Sequence, residues 1–329
     1  MRLGILSILL CVLAVGQESQ APIRVQVNEV IVPITVTDEK GRFVSNLSQD
    51  DFRIFENGRE QKIIYFNAEH NQPVVVGFLI DISNRARIHW KTLQEAAIDL
   101  VLALMPGDDK FSGFLITYNT EAELAVPTRH DPEKIVERLR KAKPGGGSAL
   151  FDAVYLACTR KDLVKGEPIE PRRVLVVIGD GFDSASKHSF EQVLELAQRN
   201  LVTVYGVSTT AYGFTSEGEK YLERLAEETG GRVEYPLQEI FKDVSGYLSK
   251  PQDAGNYALT VGTGEYAAQV AKNIFAAISN VAGEVTTQYI IRYVPDATDA
   301  GKQFRSVRVD VDLPAVTVRA RRGYFPYEP

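Results

Sequence analysis

Cysteine is nearly absent: the 329 residues hold only Cys11 and Cys158. Cys11 lies in an apolar leader, so the remainder has no internal disulfide, which excludes a small stapled scaffold. Cys158, in the context AVYLAC, reads as a small buried hydrophobe rather than a reactive thiol. Histidine is scarce too. His70, His89, His130 and His188 lack the spacing of a zinc site. There is no excess of positive charge: the net charge is −6, which gives no pull toward nucleic acid or an anionic membrane. No apolar run reaches the length of a membrane span, and neither a repeat nor a low-complexity tract occurs. The chemistry-bearing motifs most often met in α/β enzymes are also missing. Gly145 to Ser148 has no phosphate-binding Lys after it, and no Gly-x-Ser-x-Gly elbow exists.

At the start, Arg2 precedes a short apolar segment, Leu3 to Val15, with small residues at Ala14 and Gly16. This pattern predicts a signal peptide over residues 1–16, cleaved before Gln17, and an exported protein, periplasmic or extracellular, without a stable membrane span. Its removal takes only Arg2 among the charged residues, leaving the net charge near −7.

Residues 22–70 have β texture. Val25 and Val27 alternate with polar residues, and Val30, Val32, Ile34 and Val36 repeat the pattern. Ser48 to Phe52 reads as one capped helical turn. Phe52–Glu56 and Gln61–Phe66 read as a hairpin about Asn57-Gly58. The texture returns after Thr286, with strands expected over Gln288–Val294, Phe304–Leu313 and Ala315–Tyr324. The basic end, Arg319, Arg321 and Arg322, reads as a solvated face. Residues 71–285 differ: strands ending at Asp81, Tyr118, Ile178, Val207 and Tyr235 alternate with amphipathic helices. That alternation marks a doubly wound, mainly parallel sheet. The expected architecture is therefore an α/β domain (71–285) inserted into a β-sandwich built from the N-terminal (22–70) and C-terminal (286–329) segments.

The stretch VVVGFLIDISNR, Val74 to Arg85, organises the α/β part. Its unbroken apolar run predicts a central strand, and the polar cluster after it falls on the C-terminal edge, where open α/β sheets bind ligands. Gly147-Ser148 before a helix and Gly179-Asp180-Gly181 after a later strand converge on the same edge. Two carboxylates and two hydroxyls there form an all-oxygen set suited to Mg²⁺ or Mn²⁺. Taken singly, Ser148 also reads as a helix cap and Asp180-Gly181 as a turn.

These three motifs together resemble the metal-ion-dependent adhesion site of von Willebrand factor type A domains, over about residues 70 to 285. The flanking stretches VPITVTDEKGRFVSNLSQDDFRIFENG and VRARRGYFP resemble an exported bacterial subfamily abundant in acidobacteria. The resemblance implies a non-catalytic protein-binding module. In it Ser83 would bind the ion directly, Ser148 would stand where a threonine is usual, Asp81 and Asp180 would hold the ion largely through waters, and an acidic side chain of a partner protein would complete the shell. The chain departs from the pattern at Arg85, which stands where a third hydroxyl is expected. A guanidinium there can turn inward and replace the ion, making metal binding weak or absent, or point to solvent. Two further readings stand beside this one: a structural envelope component whose site Arg85 closes, and a metal-assisted hydrolase using Asp81 and Asp180.

Overall fold

The computed structural model describes residues 29–68, 73–107, 109–160, 163, 171–210, 217–237, 264–295 and 303–326. The leader, the strand read at Val25 and Val27, and nearly all of the helix read over Leu237–Leu248 lie outside the described residues. So does most of the stretch 249–265.

The central sheet has six strands in the order β10-β9-β8-β5-β6-β7. They are β5 (Val74–Asp81), β6 (Phe111–Tyr118), β7 (Ala122–Arg129), β8 (Arg172–Gly179), β9 (Thr203–Ser208) and β10 (Val233–Glu234). All neighbours are parallel except β6 and β7. Every residue of β5 is buried, because helices cover both faces of the sheet. On one face Val74, Val76, Phe78 and Ile80 meet α1 (Trp90–Leu104), α2 (Glu133–Lys141) and α6 (Gly264–Thr287). On the other, Val75 and Leu79 meet α3 (Leu150–Thr159), α4 (Phe190–Arg199) and α5 (Glu217–Thr229). Each fully buried Val, Leu, Ile or Phe contributes about 1.5–3 kcal/mol, so β5 anchors both cores. Strand β7 was not foreseen. Its sequence, AELAVPTR, is half-exposed and carries Pro127, features an edge position tolerates.

The two ends of the chain build two antiparallel four-stranded sheets, β13-β1-β11-β4 and β14-β12-β2-β3. From the N-terminal side come β1 (Val30–Asp38), β2 (Phe52–Glu56), β3 (Arg59–Gln61) and β4 (Ile63–Asn67). From the C-terminal side come β11 (Tyr289–Tyr293), β12 (Arg305–Val311), β13 (Val316–Arg319) and β14 (Gly323–Tyr324). Each sheet mixes strands of both ends, and Ile34, Phe52, Ile54, Ile291, Tyr293, Val307 and Tyr324 share one core.

Three expectations need correction here. The hairpin closes at Asn57-Gly58, where both residues have positive φ (48° and 78°), but its second arm is only β3. The residues after Lys62 cross to the other sheet and pair with β11. Likewise 315–324 is not one strand: β13 pairs with β1 and β14 with β12, on different sheets. The basic end is not uniformly solvated either. Arg322 is exposed, but Arg321 is fully buried and donates to the Leu201 carbonyl at 2.9 Å.

Glu284 joins the two parts. It is wholly buried on α6 and accepts from Thr35 of β1 (3.0 Å) and Tyr205 of β9 (3.3 Å). It also pairs with Arg232 beside β10 (2.9 Å) and Arg319 of β13 (2.6 Å).

Candidate functional site

The order of the central sheet reverses at β5. From β5 the chain runs outward through β6 and β7, then crosses back to place β8 on the other side of β5. In open α/β sheets a reversal of this kind sets the ligand-binding crevice at the C-terminal ends of the two strands that flank it, here β5 and β8. Asp81 ends β5 and Asp180 follows β8, so the fold itself brings the two carboxylates to this crevice.

Three loops are laced together there by backbone bonds. Gly145 N donates to Ile82 O (2.7 Å) and Asn84 N to Gly146 O (3.1 Å). Ser184 N and Ala185 N both donate to Ser148 O, at 2.8 and 2.9 Å. Ser148 N in turn donates to Ser184 Oγ (3.1 Å), and Gly147 N to Thr120 Oγ1 (3.0 Å). The lacing places Asp81, Ser83, Arg85, Ser148 and Asp180 on one edge.

Ser83 is buried. Its N–H donates to Asp81 Oδ1 (2.6 Å), and its Oγ accepts from Arg85 N (3.2 Å). Ser148 is also buried, and among the described residues its Oγ has no hydrogen-bond partner. It does not cap α3. That role falls to Asp183 and Ser186, whose side chains accept from Phe151 N and Asp152 N, both at 2.9 Å. A buried hydroxyl left unbonded costs about 1–3 kcal/mol, so the fold keeps Ser148 Oγ at an expense that local structure does not repay.

Arg85 turns inward. Its Nε pairs with Asp180 Oδ2, and its guanidinium lies over the Phe182 ring, 4.5 Å from the centroid. Asp180 is also held by a turn bond from Phe182 N to Oδ1 (3.0 Å). Among the described residues no cation is in contact with Asp81. Burial pushes its carboxyl up to about 6, with the Asp180 charge adding to the rise and the Ser83 bonds opposing it. Tyr118, at the end of β6, is fully buried beside this group, and among the described residues its hydroxyl has no hydrogen-bond partner. Burial first, then the charges of Asp81, Asp180 and Asp183, drive its phenol well up. Gly179 makes room for both: a Cβ there would stand 2.4 Å from Tyr118 Oη and 3.0 Å from Asp81 Cβ.

Tyr118, Thr120, Asp183, Ser184 and Ser186 were not singled out from the sequence. DSAS in a polar loop carries no spacing signal, and Tyr118 reads as a core residue. A second polar cluster lies behind α3. His188 Nδ1 meets Asp152 Oδ1 at 2.6 Å, and the His188 ring stacks on Tyr155 at 3.5 Å.

The donors were tested against a divalent ion. Asp81, Ser83 Oγ and the orphaned Ser148 Oγ are the oxygen type a hard cation takes. Asp180 is not available to it, because a permanent cation already holds that carboxylate. As they stand, the residues do not fit a tightly held ion. Among the described residues, no group of three or more His, Cys, Asp or Glu is placed to hold one.

A twisted, mainly parallel sheet between helices, with serines and aspartates at its switch point, defines a class of ligand-binding α/β domain. The chain belongs to the von Willebrand factor type A domain family, whose model matches residues 76–245, just over half of its length. None of the curated proteins compared with it matches. Among solved structures it is similar to proximal thread matrix protein 1 from the mussel byssus, at 15% identity over 50% of this chain and 46% of that one (TM-score 0.38). It is similar to the vWF domain of the type V pili tip protein Mfa5 from Porphyromonas gingivalis, at 17% identity over 34% and 39% (TM-score 0.31). It is similar as well to BatB from Bacteroides thetaiotaomicron, at 17% identity over 54% of this chain and 100% of that one (TM-score 0.39). The chain spans less than half the length of the first two. No helix among the described residues is long and apolar enough to cross a membrane.

Proposed function

We propose that this protein is an exported, non-catalytic module that binds another protein on the C-terminal edge of its central sheet. The observation that carries the reading is Ser148. Its buried, unbonded Oγ stands on the same laced edge as Ser83, Asp81 and Asp180, where a fold serving only itself would have used or removed the hydroxyl. Export is supported by the leader and by flanking stretches that resemble an exported acidobacterial subfamily. A hydrolase is the weaker reading, since of the two carboxylates it would use Asp180 is paired with Arg85 and Asp81 is buried, and the serine that meets a carboxylate nearby, Ser186 with Asp183, is spent on holding the start of α3. His188 meets Asp152 and the ring of Tyr155, not a hydroxyl or thiol.

The Arg85–Asp180 pair favours one second reading, a structural envelope component with a closed site. Capture separates the two. The immobilised protein is incubated with cell-envelope extract beside an Asn84→Trp variant, whose indole would cover this edge from an exposed position. A partner retained by the wild type and lost by the variant supports binding at the edge. Equal retention by both would assign the partner to another surface, and no retention at all would favour the closed, structural role.

A further inference from the structure

We propose that Arg85 is itself the ligand-holding group of this edge, and that it takes a carboxylate of an acidic segment of the partner without any metal ion. The proposal rests on the reading of the edge as the partner-binding surface, and it names the chemistry of recognition there. A guanidinium offers five N–H donors in a planar fork, and a carboxylate matches one side of that fork with two parallel bonds.

In this protein the fork is half spent and half free. The Nε side is committed to Asp180, which fixes the plane and direction of the group. The Phe182 ring lies beneath it at 4.5 Å, leaving little freedom to rotate. The Arg85 side chain is nevertheless 51% exposed, and among the described residues its terminal amino groups make no hydrogen bond. Two oriented donors on a fixed cation thus face solvent at the sheet's switch point. An oriented donor pair loses less conformational freedom on binding than a mobile surface arginine does.

The surrounding charge selects among anions. Asp180 touches Arg85 and Asp81 lies close enough to feel both, so the cation stands beside two carboxylates. A singly charged carboxylate is repelled by that field less than a phosphate carrying nearly two charges. The site is therefore assigned to aspartate or glutamate side chains rather than to phosphorylated ones.

The test is a titration with a short synthetic peptide of alternating glycine and glutamate, in EDTA, followed through the Nε–Hε resonance of Arg85. That signal is assigned by its absence in Arg85→Lys. The expected result is a saturable shift in EDTA, unchanged by added Mg²⁺. Isothermal calorimetry with the same peptide reads wild type and variants alike: binding should be lost in Arg85→Lys, which keeps the charge but not the fork, and weakened several-fold in Phe182→Ala. The same peptide with phosphoserine in place of glutamate should bind more weakly. No saturable shift into the millimolar range, binding that requires Mg²⁺, or equal binding by Arg85→Lys would each overturn the proposal. Tighter binding of the phosphopeptide would overturn the carboxylate assignment. A partner blocked by Asn84→Trp but indifferent to Arg85→Lys would refute this inference while leaving the edge as the binding surface. Phe182→Ala leaves the buried core intact, so its result stands even if Arg85→Lys folds poorly.

Discussion

Asp81 carries the electrostatic strain of the site, and that strain is measurable. Its carboxyl ionises at about 6 in the folded protein against 3.8 for an ordinary aspartate, chiefly through burial. The folded state therefore holds the proton more tightly than the unfolded one. Asp81's contribution is fully present below about pH 4 and is lost as pH rises through about 6, at a cost on the order of 3 kcal/mol above that. Asp81→Asn keeps an oxygen for Ser83 N and removes the charge. The variant is expected to be the more stable protein at about pH 7.5, with the gap closing toward about pH 4. Urea unfolding at both pH values checks this, and a gap that fails to close in acid would count against it. Arg85 gives the matching test of the metal question. The wild type should gain little stability from millimolar Mg²⁺ or Mn²⁺, because its own cation holds Asp180. Arg85→Ser supplies the missing hydroxyl and frees that carboxylate. An ion at ~100 times its dissociation constant would stabilise it by about 2.7 kcal/mol. Melting curves with and without the ion decide, and an equal shift in both proteins would mean that Arg85 does not compete.

Between the ends of β6, β5 and β8, three side-chain positions form one device. Tyr118, Asp81 and Gly179 stand side by side, and the tyrosine fills the room the glycine leaves. Gly179→Ala puts a methyl against the phenol oxygen, and overpacking of this kind costs about 1–3 kcal/mol. Tyr118→Phe removes an unbonded buried hydroxyl, so alone it should be neutral or slightly stabilising. Combined, the two should cost less than their sum, since the offending oxygen is gone. A strictly additive double mutant, measured by denaturant midpoints, would show that the clash is relieved elsewhere. This device also marks where the sequence stops being legible. β5 could be read because eight buried residues in a row leave one interpretation. β7 could not, because an edge strand half-exposed and broken by Pro127 has no clean period. The crossing after Lys62 and the split of 315–324 escaped for a related reason. Alternation reports which residues face a core, but not which of two sheets a strand joins. Ser148 reads as a cap from its position after three glycines, and only the bonds from Asp183 and Ser186 to α3 reveal that capping is done from another loop.

For the whole molecule, the question is whether the two parts fold as one, and Glu284 is where that is decided. The insertion of an α/β body into a sandwich was readable from matched β texture at both ends, but nothing in the sequence marks Glu284 as the joint. The carboxylate has no exposure and gathers Thr35 and Arg319 from the sandwich with Tyr205 and Arg232 from the α/β side. Gln288, the residue before β11, extends the network by donating to Thr35 Oγ1 (3.1 Å) and Tyr205 Oη (2.9 Å). Glu284→Ala leaves two guanidinium groups without this partner and two buried hydroxyls without their acceptor. Removing one member of a buried charge pair costs about 3–5 kcal/mol. Glu284→Gln keeps an oxygen for the hydroxyls and loses only the charge, so its cost should be smaller. If the network is a joint, the loss also changes cooperativity. Trp90 is the sole tryptophan and packs against the α/β core, so its fluorescence follows that part alone. In the wild type its unfolding curve should coincide with the curve from far-ultraviolet circular dichroism. In Glu284→Ala the two curves should separate, because the sandwich and the α/β body no longer lose stability together. Curves that stay superimposed in the alanine variant, with a uniformly lowered midpoint, would mean that Glu284 supports local packing and that the shared apolar contacts alone couple the parts.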